Sequence, residues 1–215
     1  MKKIALFGGT GGLGSQLKPL LEQNHITVPI GSKDVDITNL SQVQDYFKKM
    51  DFDIVINASG INYDTFIHKI NEKNIGEINK VIQTNIMGNV NLISSCLPKM
   101  RENNYGRIII ISSILSTKTV PGTSIYSSCK SFLDTLVRVS SSENIKKHIT
   151  CNTIRLGYFD GGMCHRIPEE ISETIKNSIG LKRWGKISEL HSTIEYIIET
   201  EYFTGQNLNI EGGII

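Results

Sequence analysis

The sequence predicts an α/β fold, in which helices cover both faces of a doubly wound parallel sheet in three layers, α/β/α. Short apolar runs, such as residues 52–57 and 107–112, alternate along the chain with longer segments of helical periodicity, which is typical of strand–helix–strand units. These runs are almost continuously apolar, as expected of parallel strands that are buried on both faces. The chain has 215 residues and no linker, repeat or low-complexity segment, so we expect one domain, residues 1–215.

Composition and charge argue against several classes of function. The formal net charge is +2 and the basic residues are scattered, which argues against a nucleic-acid partner. The longest apolar run is too short to cross a membrane, and residues 1–7 lack the apolar length and cleavage site of a signal peptide. The four cysteines show no CxxC spacing, and Cys164 beside His165 has no evident third ligand. We therefore predict reduced thiols, a cytoplasmic location, no membrane partner and no metal site.

The first predicted strand, residues 2–7, leads directly into a glycine-rich loop and then into a predicted helix, residues 15–23. Glycines allow the backbone to approach a pyrophosphate closely, and a helix N-terminus supplies unpaired N–H groups and the positive end of a dipole. A strand, a glycine-rich turn and a helix in this order indicate a dinucleotide site of the Rossmann type. The candidate residues of this loop are Gly8, Thr10, Gly11, Gly12, Leu13 and Gly14.

Two further strands are predicted at residues 25–30 and 52–57. Between them, Thr38 or Asn39 can cap a helix that extends to about residue 50, because apolar side chains recur there at helical spacing. The strand at residues 52–57 ends in a turn of small residues at positions 57–60. Since ligands of open α/β sheets bind at the carboxyl ends of the strands, this turn is a second candidate part of the nucleotide site.

Residues 61–77 are polar and mixed, which predicts a loop with a short helix, and residues 78–103 predict one long helix. Asn85 falls inside this long helix, although Asn is a mediocre helix former. Two interpretations of Asn85 stay open: a polar surface residue, or a kinked turn whose exposed backbone binds a water. Gly88, inside the same helix, indicates close packing or a functional need.

A strand at residues 107–112 and a helix at residues 124–144 carry the candidate reacting groups. Tyr126 and Lys130 are four residues apart, so they lie one turn from each other on one face of the helix. A phenol has an ordinary pKa of about 10, and a neighbouring ammonium lowers that pKa. Ser113 can hold a substrate oxygen against the phenol, and strand alternation and spacing favour it over Ser112. These groups predict a proton-transfer site.

The rest of the chain predicts a strand at residues 148–154, helices at residues 168–178 and 187–200, and a final strand at residues 208–210. We expect residues 160–180 to form a mobile lid over the substrate. The aromatic residues just before this lid suit a flat or acyl substrate or stacking on a sugar, and the sequence does not decide among these.

These motifs resemble the short-chain dehydrogenase/reductase family over almost the whole chain, and within it the β-ketoacyl-acyl-carrier-protein reductases. Several independent motifs occur in the order of the family, which makes the resemblance specific. The matching positions are Gly8, Gly12 and Gly14, the Asp36-Ile37 pair, the turn at residues 57–60, Asn85, Ser113, Tyr126, Lys130, and residues 181–190 and 203–213. The Leu156-Gly157 pair stands where the family has Pro-Gly.

The resemblance implies an NAD(P)H-dependent oxidoreductase that reduces a ketone or 3-oxoacyl carbonyl to an alcohol, on a small substrate that is free or carrier-bound. It implies that Tyr126 protonates the developing alkoxide, while Lys130 lowers the phenol pKa and binds the nicotinamide ribose. It also implies that Ser113 orients the carbonyl and that Asn85 holds a water for proton resupply. A keto-sugar or sugar-nucleotide reductase of polysaccharide biosynthesis is one alternative, and a non-catalytic dinucleotide-binding sensor is another.

Cofactor preference depends on the residues that follow the second predicted strand. Ser32 and Lys33 offer a hydroxyl and an ammonium that suit a 2′-phosphate, so NADP(H) is favoured over NAD(H). Asp34 would favour NAD(H) if its carboxylate turned into the ribose pocket. The full set of candidate cofactor residues is Gly8, Thr10, Gly11, Gly12, Leu13, Gly14, Ser32, Lys33, Asp36, Ile37, Asn57, Ala58, Ser59, Gly60, Tyr126, Lys130 and Gly157.

The chain departs from the family pattern by being short between Ile30 and Asp36. We expect one helix of the usual cofactor-binding half to be missing there, with or without one strand. Family members commonly assemble through two long helices, which correspond here to residues 78–103 and 124–144. The resemblance therefore implies a homodimer or a homotetramer.

Overall fold

The computed structural model describes residues 1–161 and 168–214. Its strands are β1 (Lys3–Phe7), β2 (Ile26–Ile30), β3 (Ile54–Asn57), β4 (Gly106–Ser113), β5 (Ile149–Leu156) and β6 (Asn207–Ile210). They form one sheet in the order β2-β1-β3-β4-β5-β6, and every pair is parallel. The predicted doubly wound α/β fold is confirmed.

Helices cover both faces of this sheet and produce the three layers. They are α1 (Gly12–Leu21), α2 (Leu40–Lys49), α3 (Ile75–Ile82), α4 (Gly88–Asn103), α5 (Ser124–Asn144), α6 (Glu169–Ser178) and α7 (Ile187–Glu199). One apolar core joins the sheet to α2, α4 and α5 through residues such as Phe47, Leu92 and Leu133. A second core joins the opposite face to α1 and α7 through Leu17 and Ile194.

The register of the parallel strands brings the loops after β1, β3, β4 and β5 to one edge of the sheet. Phe7 lies opposite Asn57, and Asn57 lies opposite Ile110. Ser113 lies opposite Leu156 at the end of the β4–β5 pair. Because parallel strands all end on the same side, the predicted nucleotide loops and the predicted proton-transfer groups share this edge.

The prediction of one helix over residues 78–103 is wrong. The helical stretch begins earlier, with α3, and a π-helical segment, Gln83–Met87, separates α3 from α4. At its end the Gly88 N–H donates to the Gln83 carbonyl, five residues back. A π turn contains about one residue more than an α turn, and hydrophobic periodicity does not reveal so small an insertion.

Gly88 lets α4 approach the chain between β2 and α2. A Cβ at Gly88 would lie 2.6 Å from Ile37 Cδ1, so the close packing that Gly88 indicated is confirmed. Asn91, on the same helix, donates from Nδ2 to the Ile37 carbonyl at 2.9 Å. These two contacts fix the position of Ile37 against α4.

β2 is an edge strand, and residues 31–39 connect it to α2 without another helix or strand. This compact connection agrees with the expected loss of a helix in this part of the chain. Of the two predicted caps for α2, Asn39 has the role, because its Oδ1 accepts the Gln42 N–H at 3.2 Å.

In the described ranges, no helix is both long and apolar enough to cross a membrane. Within the same part of the chain, no three His, Cys, Asp or Glu side chains are grouped so that they could hold a metal ion. Cys164 and His165 lie outside the described residues.

Candidate functional site

The glycine loop after β1 packs tightly against the turn that follows β3. Gly8 has a φ of +74°, a backbone conformation that residues with a Cβ rarely adopt. A Cβ at Gly8 would lie 2.6 Å from the Ser59 nitrogen, and a Cβ at Gly14 would collide with the Gly8 carbonyl oxygen. The loop therefore needs glycine at both positions. Two of the predicted cofactor segments are in direct contact, next to the N-terminus of α1 at Gly12.

Tyr126 and Lys130 lie in the first two turns of α5 with their side chains almost fully buried. Tyr126 is 7% exposed and Lys130 is 4% exposed. The Lys130 Nζ lies 5.5 Å from the centre of the Tyr126 ring and donates to the Ile111 carbonyl at 2.9 Å. This hydrogen bond anchors the ammonium to β4, two residues before Ser113. The structure thus brings the two predicted groups together at the end of β4.

Burial lowers the pKa of Lys130 to about 8, because desolvation disfavours its ammonium form. Cys129 and Asp134 oppose this effect without cancelling it. A lysine with this pKa is mostly charged at pH 7 but loses its proton at a lower pH than an exposed lysine does. Such perturbed groups are frequent at functional sites, although structural networks also produce them.

The two serines at the end of β4 point in opposite directions, as strand alternation requires. Ser113 is half-buried, and its Oγ accepts the Leu115 N–H at 3.2 Å. Ser112 is 3% exposed, and its Oγ lies 3.4 Å from both the Lys130 carbonyl and the Asp134 carboxylate. The Ser112 hydroxyl is therefore used within the α5 contact, which leaves Ser113 as the candidate at the sheet edge.

Asn85 lies in the π-helical segment and is 1% exposed. Its Oδ1 accepts the Ile61 N–H at 3.0 Å, and its Nδ2 donates to the Ile61 carbonyl at 2.7 Å. The interpretation of Asn85 as a surface residue is therefore wrong, and the kinked-turn interpretation fits the π-helical backbone.

Gly60 lies where Asn85 and Lys130 approach each other. A Cβ on Gly60 would lie 3.1 Å from Asn85 Oδ1 and 3.7 Å from Lys130 Nζ. The turn after β3, the π-helical segment and α5 therefore meet at Gly60. A phenol, a buried ammonium and an amide thus lie together beside a glycine loop, which is an arrangement that can transfer a proton to a ligand bound at that loop.

A family model described as enoyl-(acyl carrier protein) reductase matches residues 12–215 of this chain. The match begins inside the glycine loop and extends through Ser113, Tyr126 and Lys130 to the last residue. The chain belongs to the short-chain dehydrogenase/reductase family.

Curated members of this family support the resemblance to β-ketoacyl-acyl-carrier-protein reductases. Nodulation protein G of Azospirillum brasilense is 34% identical over 164 residues, which span 75% of this chain and 65% of that protein. The 3-oxoacyl-[acyl-carrier-protein] reductase FabG of Rickettsia conorii is 25% identical over 236 residues, covering 100% of this chain and 97% of the relative. Carbonyl reductase family member 4 of Xenopus tropicalis is 25% identical over a match that covers 99% of this chain and 98% of that protein. These comparisons place the chain among oxidoreductases that act on carbonyl and alcohol groups.

In this short-chain dehydrogenase/reductase, the residues after β2 form a tight turn beside the glycine loop. Asp34 Oδ2 accepts the Gly31 N–H at 2.8 Å, so the carboxylate turns back onto its own chain. Ser32 and Lys33 are exposed. A Cβ at Gly31 would collide with Thr10 Oγ1, so the turn is in contact with the loop that precedes α1.

The Asp36-Ile37 pair, which belongs to the candidate cofactor residues, lies next to this turn. Asp36 is exposed, and its Oδ1 accepts from the Thr38 N–H at 2.9 Å and the Thr38 hydroxyl at 2.8 Å. Ile37 is 8% exposed and packs on Gly88, as described above. The structure therefore brings the carboxylate of Asp36 to the surface and the side chain of Ile37 into the core.

The sequence predictions missed one polar residue of the site, Asn89. It is 1% exposed, its Oδ1 accepts from Asn57 Nδ2 at 2.8 Å, and its Nδ2 donates to the Asn85 carbonyl at 2.8 Å. The Asn85 carbonyl therefore has a side-chain partner within the helix. The available signal was weak: an Asn inside a helical pattern, where Asn is a mediocre helix former.

The segments expected to contact the substrate lie beyond β5. Gly157 donates its N–H to the Ile210 carbonyl at 2.8 Å, and the Tyr158 and Trp184 rings lie 5.6 Å apart. The predicted lid at 160–180 includes 162–167, which are outside the described residues, and its described part contains α6. The lid stays a prediction.

α5 leaves two large apolar side chains exposed on its outer face. Phe132 is 40% exposed and Val139 is 51% exposed, and they lie seven residues apart, about two turns along one face. Such a face is compatible with contact between copies of the chain, and the expected homodimer or homotetramer stays a prediction.

Proposed function

We propose that this protein is an NADPH-dependent reductase that converts a ketone or 3-oxoacyl carbonyl into an alcohol. The observation that carries the proposal is the buried Lys130 ammonium, 5.5 Å from the Tyr126 ring and beside Gly60. Gly60 belongs to the turn after β3, residues 57–60, which we call the cofactor turn. An ammonium at this place favours the phenolate over the neutral phenol, which prepares Tyr126 to give up its proton. Family membership makes a nicotinamide the hydride donor, and hydride chemistry is what the cofactor supplies when bound.

Each candidate residue has one role in this proposal. Tyr126 donates its phenolic proton to the oxygen of the carbonyl as that oxygen becomes an alkoxide. Lys130 stabilises the phenolate that remains and binds the ribose next to the nicotinamide. Ser113 donates a hydrogen bond to the same oxygen and orients it. Asn85 takes part in returning a proton to Lys130 from solvent.

The nucleotide is proposed to lie along the carboxyl edge of the sheet, against the glycine loop and the cofactor turn. Gly8 and Gly14 allow the pyrophosphate to approach the backbone, and the N-terminus of α1 offers its N–H groups to the phosphates. Asn57 shapes the turn after β3, because its Oδ1 accepts the Ser59 N–H at 3.0 Å. The adenosine would lie towards Asp36 and Ile37, where β2 leads into α2.

NADPH is proposed over NADH because the only acidic residue in the turn directly after β2 is already bonded to its own backbone. The bond from Gly31 to the Asp34 carboxylate competes with any bond to a ribose 2′-hydroxyl. Ser32 and Lys33 remain exposed beside the glycine loop, where a hydroxyl and an ammonium can bind a 2′-phosphate.

Replacement of Lys33 by Glu tests this preference. A charge-assisted hydrogen bond contributes roughly 1.5–3 kcal/mol, so Lys33→Glu should weaken NADPH binding by a factor of about 10 or more and leave NADH binding within about threefold. Fluorescence titration with both cofactors measures the two dissociation constants. Lys146→Glu, an equal charge change at an exposed residue before β5, is the matched control. Equal effects on NADPH and NADH, or tighter binding of NADH by the unaltered protein, would contradict the preference.

The substrate class is tested by NADPH oxidation with a panel of ketones that includes acetoacetyl thioesters and keto-sugars. We expect oxidation with a 3-oxoacyl thioester, in keeping with the relatives named reductases of 3-oxoacyl-[acyl-carrier-protein]. If NADPH were oxidised with keto-sugars alone, the substrate would be a carbohydrate and not a 3-oxoacyl thioester. Tight cofactor binding without oxidation by any ketone would instead favour a dinucleotide-binding sensor.

A further inference from the structure

We infer that Asn89 is a positioning residue that keeps Asn85 and the cofactor turn in place beside Lys130, an inference that rests on the proposed function. Asn89 lies at the second residue of α4, directly after the π-helical segment, and is 1% exposed. Its two side-chain hydrogen bonds go to two different parts of the site, Asn57 and Asn85.

The bond from Asn89 to the Asn85 carbonyl supports the π-helical backbone. The Gly88 N–H reaches back five residues to Gln83, so the main chain here has left the ordinary α pattern. Single π turns are rare and occur frequently at functional sites. Asn89 Nδ2 donates to the Asn85 carbonyl at 2.8 Å, which gives this carbonyl a buried partner. Loss of the Asn89 donor takes this hydrogen bond from the buried Asn85 carbonyl, which costs folding free energy.

The bond between Asn89 and Asn57 ties the start of α4 to the end of β3. Asn57 Nδ2 donates to Asn89 Oδ1 at 2.8 Å, although the two residues are 32 positions apart. Asn57 Oδ1 in turn accepts the Ser59 N–H at 3.0 Å. The amide of Asn57 thus bridges Asn89 and the cofactor turn, and all its described polar contacts are to buried or half-buried groups.

The two bonds complete a closed set of contacts. The start of the turn after β3 is joined to α4 by the Asn57–Asn89 bond, and its end is joined to the π-helical segment by the pair of bonds between Ile61 and Asn85. Gly60 lies between these two ends, close to Lys130. Asn89 hydrogen-bonds to both Asn57 and Asn85, so its removal loosens both ends of the turn.

Amide hydrogen exchange tests the positioning role without reference to activity. Because the Ile61 N–H is bonded to Asn85, Asn89→Ala should speed exchange of this amide by a factor of about 10, the effect of losing one buried hydrogen bond. Asn89→Ser differs from Asn89→Ala by one hydroxyl, which can donate to a carbonyl four residues back. We expect the Ser variant to retain most of the protection at Ile61.

Asn144 provides a matched control for loss of a buried amide. Its Nδ2 donates to the Ser140 carbonyl, four residues back, at 2.8 Å, and it is 4% exposed. It lies at the far end of α5, where it accepts from Arg101 at 2.7 Å. Asn144→Ala should leave exchange at Ile61 unchanged. Equal exchange at Ile61 in the Asn89 and Asn144 variants would overturn the inference.

Turnover provides the second measurement. Asn89→Ala should lower kcat by a factor of about 10 with the KM for the ketone within about threefold, since proton delivery and not substrate binding is disturbed. Added imidazole should restore part of this loss by supplying protons, whereas Asn144→Ala should show neither effect. A loss in kcat that imidazole does not relieve would overturn the role in proton delivery.

The two measurements separate failure of this inference from failure of the proposed function. If the unaltered protein reduces no ketone, the proposed function fails, and the exchange rate of Ile61 still decides whether Asn89 positions the turn. If Asn89→Ala does not fold, Asn89→Leu, which fills the same space with an apolar side chain, is measured by exchange and turnover in its place.

Discussion

Tyr126→Phe should lower kcat for ketone reduction by about 10³-fold, within the range that general acid catalysis contributes. The change removes one hydroxyl and keeps the ring that packs 5.5 Å from the Lys130 ammonium. NADPH should therefore bind within about threefold of its original affinity. Steady-state kinetics and fluorescence titration measure the two effects, and their separation distinguishes loss of the proton donor from loss of the site.

Tyr105→Phe is the matched control for Tyr126→Phe. Tyr105 precedes β4 at the opposite edge of the sheet, and its ring contacts the Lys2 ammonium at 3.7 Å and the Arg107 guanidinium at 4.5 Å. Both contacts use the ring, which Phe retains, so turnover should not change. A Tyr126→Phe variant with more than about a tenth of the original kcat would show that another group protonates the product.

Lys130→Met should abolish most activity and yet stabilise the folded protein at neutral pH. The Lys130 ammonium is buried, and its pKa falls from an ordinary 10.5 to about 8. Between these two pH values the unfolded chain binds more protons than the folded one, so the stability of the unaltered protein rises with pH across this window. Below about pH 8 the full cost of burying the charge is present, and Met removes it.

The size of this gain is on the order of 2 kcal/mol at pH 7, from about 1.4 kcal/mol for each unit of pKa difference, reduced by the lost hydrogen bond to Ile111. Denaturant unfolding of both proteins at pH 7 and pH 10 measures the gain. The variant should be the more stable at pH 7, and the difference should shrink at pH 10. A variant that is less stable at pH 7, or a difference that grows with pH, would contradict the assigned burial cost.

Activity of Lys130→Met should fall by about 10²-fold or more, because the phenol of Tyr126 loses the charge that favours its ionised form. Binding of NADPH should weaken as well, since Lys130 is proposed to contact the ribose. A protein that is more stable but less active is a common result when a functional group that is costly to bury is removed.

The parts of the site that could be predicted are those whose spacing is fixed within one element. Gly8 to Gly14 lead without interruption from β1 into α1, and Tyr126 to Lys130 lie within one helix, so the covalent chain itself sets their geometry. The carboxyl edge of a parallel sheet then brings these segments together, which is a property of the fold and not of individual residues.

The parts that could not be predicted depend on contacts between distant residues. Asn89 has meaning only beside Asn57, 32 positions away, and the π-helical segment adds one residue to a turn without disturbing the apolar pattern. The direction of Asp34 was likewise open, because a carboxylate three residues after Gly31 can reach either the ligand or its own backbone.

In the proposed reaction, a nicotinamide hydride reaches a carbonyl carbon in this site while Tyr126 supplies the proton to the oxygen. The most direct measurement is reduction of an acetoacetyl thioester with NADPH that carries deuterium at the transferable position. Mass spectrometry of the alcohol should show one deuterium on the carbinol carbon with the unaltered protein, and product formation slower by about 10³-fold with Tyr126→Phe. An alcohol without deuterium, or no alcohol from any ketone of the panel, would contradict the proposed reduction.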